Sequence, residues 1–402
     1  MNKEAGKERP LWLMFIIGYI GYSCIYIGRL NFSIASAFFE AAGTLTKTQI
    51  GIIGSIFSLT YAIGKVPNGY IGDRFSSRAV IVCGLLITAV TNLLIGFMPV
   101  FWSIAILWGM NAYGQSMLWG PMLRSYSEHY TRQQYNRLIQ YLVSAVAAGS
   151  ILGLLIASFS ANKWGVAAGF FVPGIISLLA AALIRFFFID SPGQKAEKGQ
   201  GFFTSLLGLT KNPDFMRMVI PAMSHGMIKD NINVWLAVYF VDAYGLDIST
   251  MAWYIFFIPA FALIGRFVFP VLYRVFKDEY KVTTCSFVLL IAVNMLLFTG
   301  KLNVWAALFC LGADSALVSV INSHVLSIFP TSIAKSGSLS FTASVMDLIT
   351  YGGAGIGSLV FGALISRYGY GSMFLVWAAA SAISVGFMAR FLILRRGNGS
   401  SV

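Results

Sequence analysis

Long apolar runs separated by short polar breaks make up nearly the whole chain. They fall near 11–37, 48–72, 78–99, 101–123, 138–160, 165–189, 216–242, 250–275, 282–300, 303–328, 338–366 and 371–394. Each reaches the roughly 20 residues that a helix needs to cross a hydrocarbon layer about 30 Å thick. The pattern predicts an all-α membrane protein with twelve transmembrane helices. The longest polar break, Asp190-Ser191-Pro192-Gly193-Gln194-Lys195-Ala196-Glu197-Lys198-Gly199-Gln200-Gly201, has linker composition and divides six runs from six. The expected organisation is a six-helix bundle over 1–189, a linker over 190–214 and a second six-helix bundle over 215–402.

Composition agrees with this reading, since 57% of residues are apolar and only 11% are charged, against about a quarter charged in soluble domains. The formal charge of +13 raises the question of nucleic acid, but its placement answers it. Basic residues crowd the even-numbered loops and both tails, among them Lys7, Arg74, Arg78, Arg137, Lys277 and Arg395, whereas the odd-numbered loops carry Lys47, Lys163, Lys301 and Arg367. That asymmetry is a topology signal that predicts both termini in the cytoplasm. The first run is too long for a signal-peptide core and lacks a small-residue cleavage site, so it is expected to be retained. Cys24, Cys83, Cys285 and Cys310 lie in apolar runs with no C-x-x-C pair, which argues against a disulfide framework or a zinc site. No phosphate-binding Gly-rich loop and no His-Glu-x-x-His run is present. Neither an enzyme nor any cofactor is expected.

The informative residues are the charges within apolar runs. An ionised side chain at membrane depth costs at least about 2.5 to 3.5 kcal/mol, so such groups face a protein interior or a water-filled path. Arg29 sits in the first run and Lys229 at the matching place in the seventh. Tyr22, Tyr26 and Arg29 fall at i, i+4 and i+7 and share a helix face. His225, Lys229 and Asn233 are likewise spaced by four, with Asp230 turned about 100° away toward a neighbouring helix. Lys65 either extends a basic path inward, or snorkels or pairs structurally. Asp314 and Asp347 lie in the tenth and eleventh runs, Asp347 on a face with Thr350 and Tyr351. These carboxylates bind substrate hydroxyls or a proton, pair with Lys229 or Arg266 in one conformation, or form static ion pairs. His324 titrates near neutral pH or is a hydrogen-bonded helix histidine.

The halves also resemble each other. Ile63-Gly64-Lys65 precedes Arg74, and Ile264-Gly265-Arg266 precedes Arg274. The loop Gly69-Tyr70-Ile71-Gly72-Asp73-Arg74-Phe75-Ser76-Ser77-Arg78 resembles the loop signature of the major facilitator transporters, whose two pseudo-symmetric six-helix bundles enclose a mid-membrane site. Tyr22, Tyr26, Arg29, Asn31 and Phe32, together with Lys65, Trp119-Gly120-Pro121, Arg124, His129, His324 and Gly352-Gly353, are similar to the organophosphate:phosphate antiporters, the branch of glycerol-3-phosphate and hexose-phosphate transporters. The resemblance implies that Arg29 and the residue at position 229 grip a phosphoryl group, and that Asp73, Arg74 and Arg78 take part in gating. It departs from the family at Lys229, where an arginine stands in the pattern, and at Tyr141–Val146, which lack the family's histidine.

The implied protein is a monomeric, multi-pass transporter of a bacterial inner membrane that exchanges a phosphorylated organic anion for inorganic phosphate. Its site would comprise Arg29, Lys229, Tyr22, Tyr26, Lys65, His225, Asn233, Asp347 and Tyr351. Asp73, Arg74, Arg78, Asp230, Arg266, Asp314 and His324 would serve gating and coupling. A proton-coupled carboxylate transporter and a non-transporting ligand sensor of the same fold are the alternatives.

Overall fold

The computed structural model describes residues 11–191, 202–247, 250–251, 254, 257–333 and 339–398, nearly all of them helical. The first half contains α1 (Leu11–Ala41), α2 (Lys47–Arg74), α3 (Ser77–Phe97), α4 (Phe101–Ser116), α5 (Trp119–His129), α6 (Arg132–Trp164) and α7 (Ala168–Phe187). A short helix, α8 (Phe202–Thr210), precedes the second half: α9 (Pro213–Tyr244), α10 (Phe257–Phe276), α11 (Glu279–Phe298), α12 (Val304–Asn322), α13 (Leu339–Tyr368) and α14 (Tyr370–Asn398).

Nine helical stretches among the described residues are long and apolar enough to cross a membrane. The other three crossings fall short for identifiable reasons. Helices α2 and α9 are 28 and 32 residues long, but they carry Lys65, Lys229 and Asp230 at depth. The third crossing is split into α4 and α5. Pro121 has no N–H to bond the Met117 carbonyl, so the helix breaks at Met117–Leu118. With these three the crossings number twelve, which makes this an all-α, multi-pass membrane protein.

Local chemistry fixes the helix ends. Thr46 and Gln49 form a reciprocal capping box at α2, as do Thr131 and Gln134 at α6. Asn212 caps α9, with Pro213 as the first helical residue. The segment expected as the linker, 190–214, contains all of α8 and the start of α9. Apolar Phe202–Leu209 and a strong Asn-Pro start signal outweigh the linker composition of the preceding stretch.

Helix α1 packs on α6 and α7, α2 on α4, and α3 on α4 and α7. In the second half α9 packs on α13 and α14, α10 on α12, and α11 on α12 and α14. The halves meet along α2–α13, α1–α9 and α6–α10. At the end carrying the odd-numbered loops the contact is backbone against backbone. A Cβ placed on Gly51 of α2 would lie 2.5 Å from the Ser358 carbonyl and 2.9 Å from Gly362 Cα of α13. Beside it Lys47 Nζ lies 2.5 Å from Asp242 Oδ2 across the halves and 3.6 Å from Glu40 within its own.

The end carrying the even-numbered loops is tied within the first half. Ser76 Oγ donates to Asp190 at 2.7 Å, and the Arg78 amide donates to the same carboxylate at 3.1 Å. Arg124 donates to the carbonyls of Gly72 and Ser191, and the Ser77 amide donates to Ser191 at 3.0 Å. The turn between α2 and α3, the helix α5 and the exit of α7 thus form one hydrogen-bonded unit.

Candidate functional site

A cavity with about 1200 Å³ of open space lies between the halves. Its wall includes Arg29, Tyr26 and Ser33 from α1, Phe57 and Ser58 from α2, Trp108 from α4, Lys229, Asp230 and Asn233 from α9, Arg266 from α10 and Tyr351 from α13.

Arg29 is held in place by a polar hub that flanks it. The Gly28 carbonyl accepts from Asn92 (3.3 Å), Asn111 (2.9 Å) and Gln115 (3.4 Å), while Asn31 donates to Asn92 (2.7 Å) and to the Gly169 carbonyl (3.0 Å). All four side chains are buried. Each hydrogen bond fixes the rotation of α1, because a buried amide left unpaired costs about 1 to 3 kcal/mol. The second half repeats the device: Asn231, two positions after Lys229 as Asn31 is after Arg29, donates to the Met227 and Ala354 carbonyls at 2.9 and 3.0 Å and pins α9 to α13. Of this hub only Asn31 stands out in the sequence. The signal of the rest was present in the amides of Asn92, Asn111 and Gln115 inside apolar runs.

The two cations converge on Tyr351. The Arg29 guanidinium lies 4.7 Å from the Phe57 ring centroid, 5.0 Å from that of Tyr61 and 5.6 Å from that of Tyr351, and Nη2 donates to Tyr351 Oη at 3.5 Å. Lys229 Nζ lies 5.1 Å from the Tyr351 centroid. Tyr61 and Tyr351 pack across the halves with centroids 4.6 Å apart. An arginine held over aromatic faces keeps its charge with little hydration and leaves its N–H fork for a ligand.

Several placements differ from the sequence expectation. Asp230 does turn toward the neighbouring α1, and in doing so lines the cavity: its carboxylate is 3.8 Å from Arg29 and 3.6 Å from Lys229. A cavity this broad takes side chains from more than one position per helical turn. Arg266, assigned to gating, also lines the cavity, and no carboxylate lies within salt-bridge distance of it among the described residues. Asp347 pairs with Lys65, not with Lys229 or Arg266, because α2 and α13 are direct neighbours across the halves. Neither Lys65 nor Asp347 lines the cavity.

His225 is fully buried and outside the cavity wall, whereas Lys229 and Asn233 on the same face reach it. Tyr22 packs at a tilt on Trp119, with centroids 5.0 Å apart, and edge-on to Tyr26 at 5.9 Å, behind the wall. Asp314 accepts from Asn294 at 3.2 Å, and His324 bonds Thr283 at 2.7 Å, both within the second bundle. Arg74 ends α2 at the surface, and Arg78 lies 3.7 Å from Asp190. The side chain of Asp73 lies outside the described residues.

The model of the Major Facilitator Superfamily matches residues 11–348. The membrane sensor protein UhpC of Salmonella typhimurium is 28% identical over 43% of this chain and 39% of its own. The phosphoglycerate transporter protein of the same organism is 24% identical over 62% and 52%. The glycerol-3-phosphate transporter of Bacillus subtilis is 28% identical over 47% and 44%. The chain thus spans about half the length of these relatives or less. Among solved structures, the nucleoside transporter NupG superposes with a TM-score of 0.76 at 15% identity, covering 94% of this chain and 98% of its own. A bacterial homolog of the human lysosomal transporter Spinster, inward-facing and occupied, reaches 0.77 at 17% identity, covering 95% and 96%. These relatives and neighbours are transporters and a sensor, not enzymes. Matched over most of its length and built as two bundles around a charged central cavity, the chain belongs to the Major Facilitator Superfamily.

Proposed function

We propose that this protein exchanges a phosphorylated organic anion for inorganic phosphate by alternating access between its two bundles. The observation that carries this reading is the formal charge of the cavity wall. Among the described residues of the wall, Arg29, Lys229 and Arg266 stand against Asp230, three charges minus one, which leaves an excess of two positive charges. A phosphoryl dianion neutralises that excess, whereas a simple monocarboxylate leaves one cation unmatched in a poorly hydrated site. Cations from both halves converge there, so the same anion favours their approach, and an empty site resists closing around unmatched charge. That is the physical basis for obligate exchange. The relatives named as phosphoglycerate and glycerol-3-phosphate transporters support the substrate class. The distribution of basic residues supports even-numbered loops and both termini in the cytoplasm of a bacterial inner membrane. One chain supplies both walls of the cavity, so a monomer suffices.

The test is counterflow in proteoliposomes loaded with phosphate. Exchange of labelled phosphate, inhibited by phosphate esters, is expected. Failure of phosphate and of every ester to exchange or to stabilise the protein sinks the reading. A sensor function is the second reading, favoured by the match to the membrane sensor UhpC; its signature is ligand binding without counterflow. Proton-coupled carboxylate transport has less support, since Asp314 and His324 bond partners inside the second bundle, away from the cavity.

A further inference from the structure

The α12 wall adds neutral polar groups to the cavity beside its cations. Ser315, Val318, Ser319 and Asn322 line the cavity at i, i+3, i+4 and i+7, so a single face of α12 is turned inward. Ser315 is engaged within the protein, donating to the Ile258 carbonyl at 3.2 Å. The Ser319 hydroxyl and the Asn322 amide have no protein partner among the described residues.

Asn322 also stands where the helix changes character. It is the last residue of α12, and a π-helical turn, Ser323–Ile328, follows directly. Such a turn rephases every side chain after it and is found disproportionately at functional sites. Here it carries His324 into the second bundle, against Thr283, while Asn322 keeps its place on the cavity wall. An amide offers two donors and an acceptor. Facing a cavity at membrane depth with none of them used inside the protein, it is poised for a ligand.

The helix register sets where that ligand lies. Gly265 packs directly on the backbone of Ala316, which places Arg266 level with that point of α12. Ser319 and Asn322 follow about 5 and 9 Å further toward the even-loop end, at the rise of an α-helix. A phosphoryl group held by Arg29, Lys229 and Arg266 would run its carbon body along these two side chains.

We infer that Ser319 and Asn322 recognise the hydroxyl groups of the organic body and select hydroxylated phosphate esters over deoxygenated ones. The inference rests on the phosphate reading above and adds what lies beyond the phosphorus. A site built to bond hydroxyls rejects an analogue that lacks them, because its own polar groups are then left unpaired. The glycerol and propyl esters of phosphate share charge and chain length and differ only in the hydroxyls.

The experiment uses the purified full chain in proteoliposomes, with self-exchange of labelled inorganic phosphate as the readout and glycerol 3-phosphate or propyl phosphate as competitor. The wild type is expected to be inhibited by glycerol 3-phosphate at a concentration at least about tenfold lower than propyl phosphate, a difference of about 1.4 kcal/mol. In Ser319→Ala and in Asn322→Ala that ratio is expected to fall below about threefold, with partial recovery in Asn322→Gln. Ser319→Ala removes one oxygen from a helix face, which keeps the test open if an asparagine variant misfolds. A wild-type ratio near one, or a ratio unchanged in both alanine variants while phosphate self-exchange persists, overturns the inference alone. Absence of exchange or inhibition with all three phosphates overturns the phosphate reading as well.

Discussion

Gly51→Ala should drive the protein out of the conformation described here. The new methyl would sit 2.5 Å from the Ser358 carbonyl and 2.9 Å from Gly362 Cα, both belonging to the opposite half. These are backbone atoms, so no side chain can swing aside, and the halves must separate at the odd-loop end. Overpacking of this kind costs about 1 to 3 kcal/mol. The cost falls only on the state in which α2 and α13 touch, and the better helix propensity of alanine is common to both states and cancels. The equilibrium should therefore move about 5- to 150-fold toward the state open at the odd-loop end. Spin labels at the exposed positions Thr44 and Lys301, on a background in which the exposed Cys83 and Cys285 are replaced, report the change as a longer distance in pulsed resonance. Gly386→Ala is the control, since a methyl there meets nothing within 4 Å. If Gly51→Ala gives the same distance distribution as wild type and Gly386→Ala, the seal is not what holds this end closed.

Three further outcomes follow from the charged pairs. Lys65→Met leaves Asp347 unpaired in a partly buried site, where breaking a pair costs about 3 to 5 kcal/mol; it should lower the unfolding temperature, and adding Asp347→Leu should restore most of the loss. Lys47→Ala removes a half-exposed pair worth about 0.2 to 1 kcal/mol, so it should open the odd-loop end only slightly, and raised salt should reproduce its effect in the wild type. Arg29→Ala removes a charge-assisted donor worth about 1.5 to 3 kcal/mol, so phosphate binding should weaken about 10- to 150-fold by calorimetry; undiminished affinity would exclude Arg29 from the site.

What could be read from the sequence was whatever a single helix determines. The crossings were legible because water and lipid impose a length and a polarity on each run, and Arg29 stood out because its charge is costly there. The place of Asp230 on the cavity wall was not legible, because a helical wheel gives a direction but not the width of the space it points into. The Lys65–Asp347 pair was hidden for a different reason. Its partners come from α2 and α13, far apart in the chain, and only the docking of the halves makes them neighbours. The π turn after Asn322 was equally invisible, since its residues are ordinary helix formers and the change in hydrogen-bond register has no compositional mark. The short helix Phe202–Thr210 was overlooked because the polar stretch before it dominates the composition of the linker.

The hydrogen bonds joining Asp190 and Ser191 to the α2–α3 turn and to Arg124 determine where this polypeptide can be cut. All of them belong to the first half, so a chain interrupted after Ser191 keeps the whole staple on its N-terminal fragment. The first bundle then ends on a finished surface, with no frayed helix. Covalent continuity contributes only proximity, which two fragments confined to the same bilayer largely retain. A gene split at that point should still yield one working machine from two separately synthesised pieces.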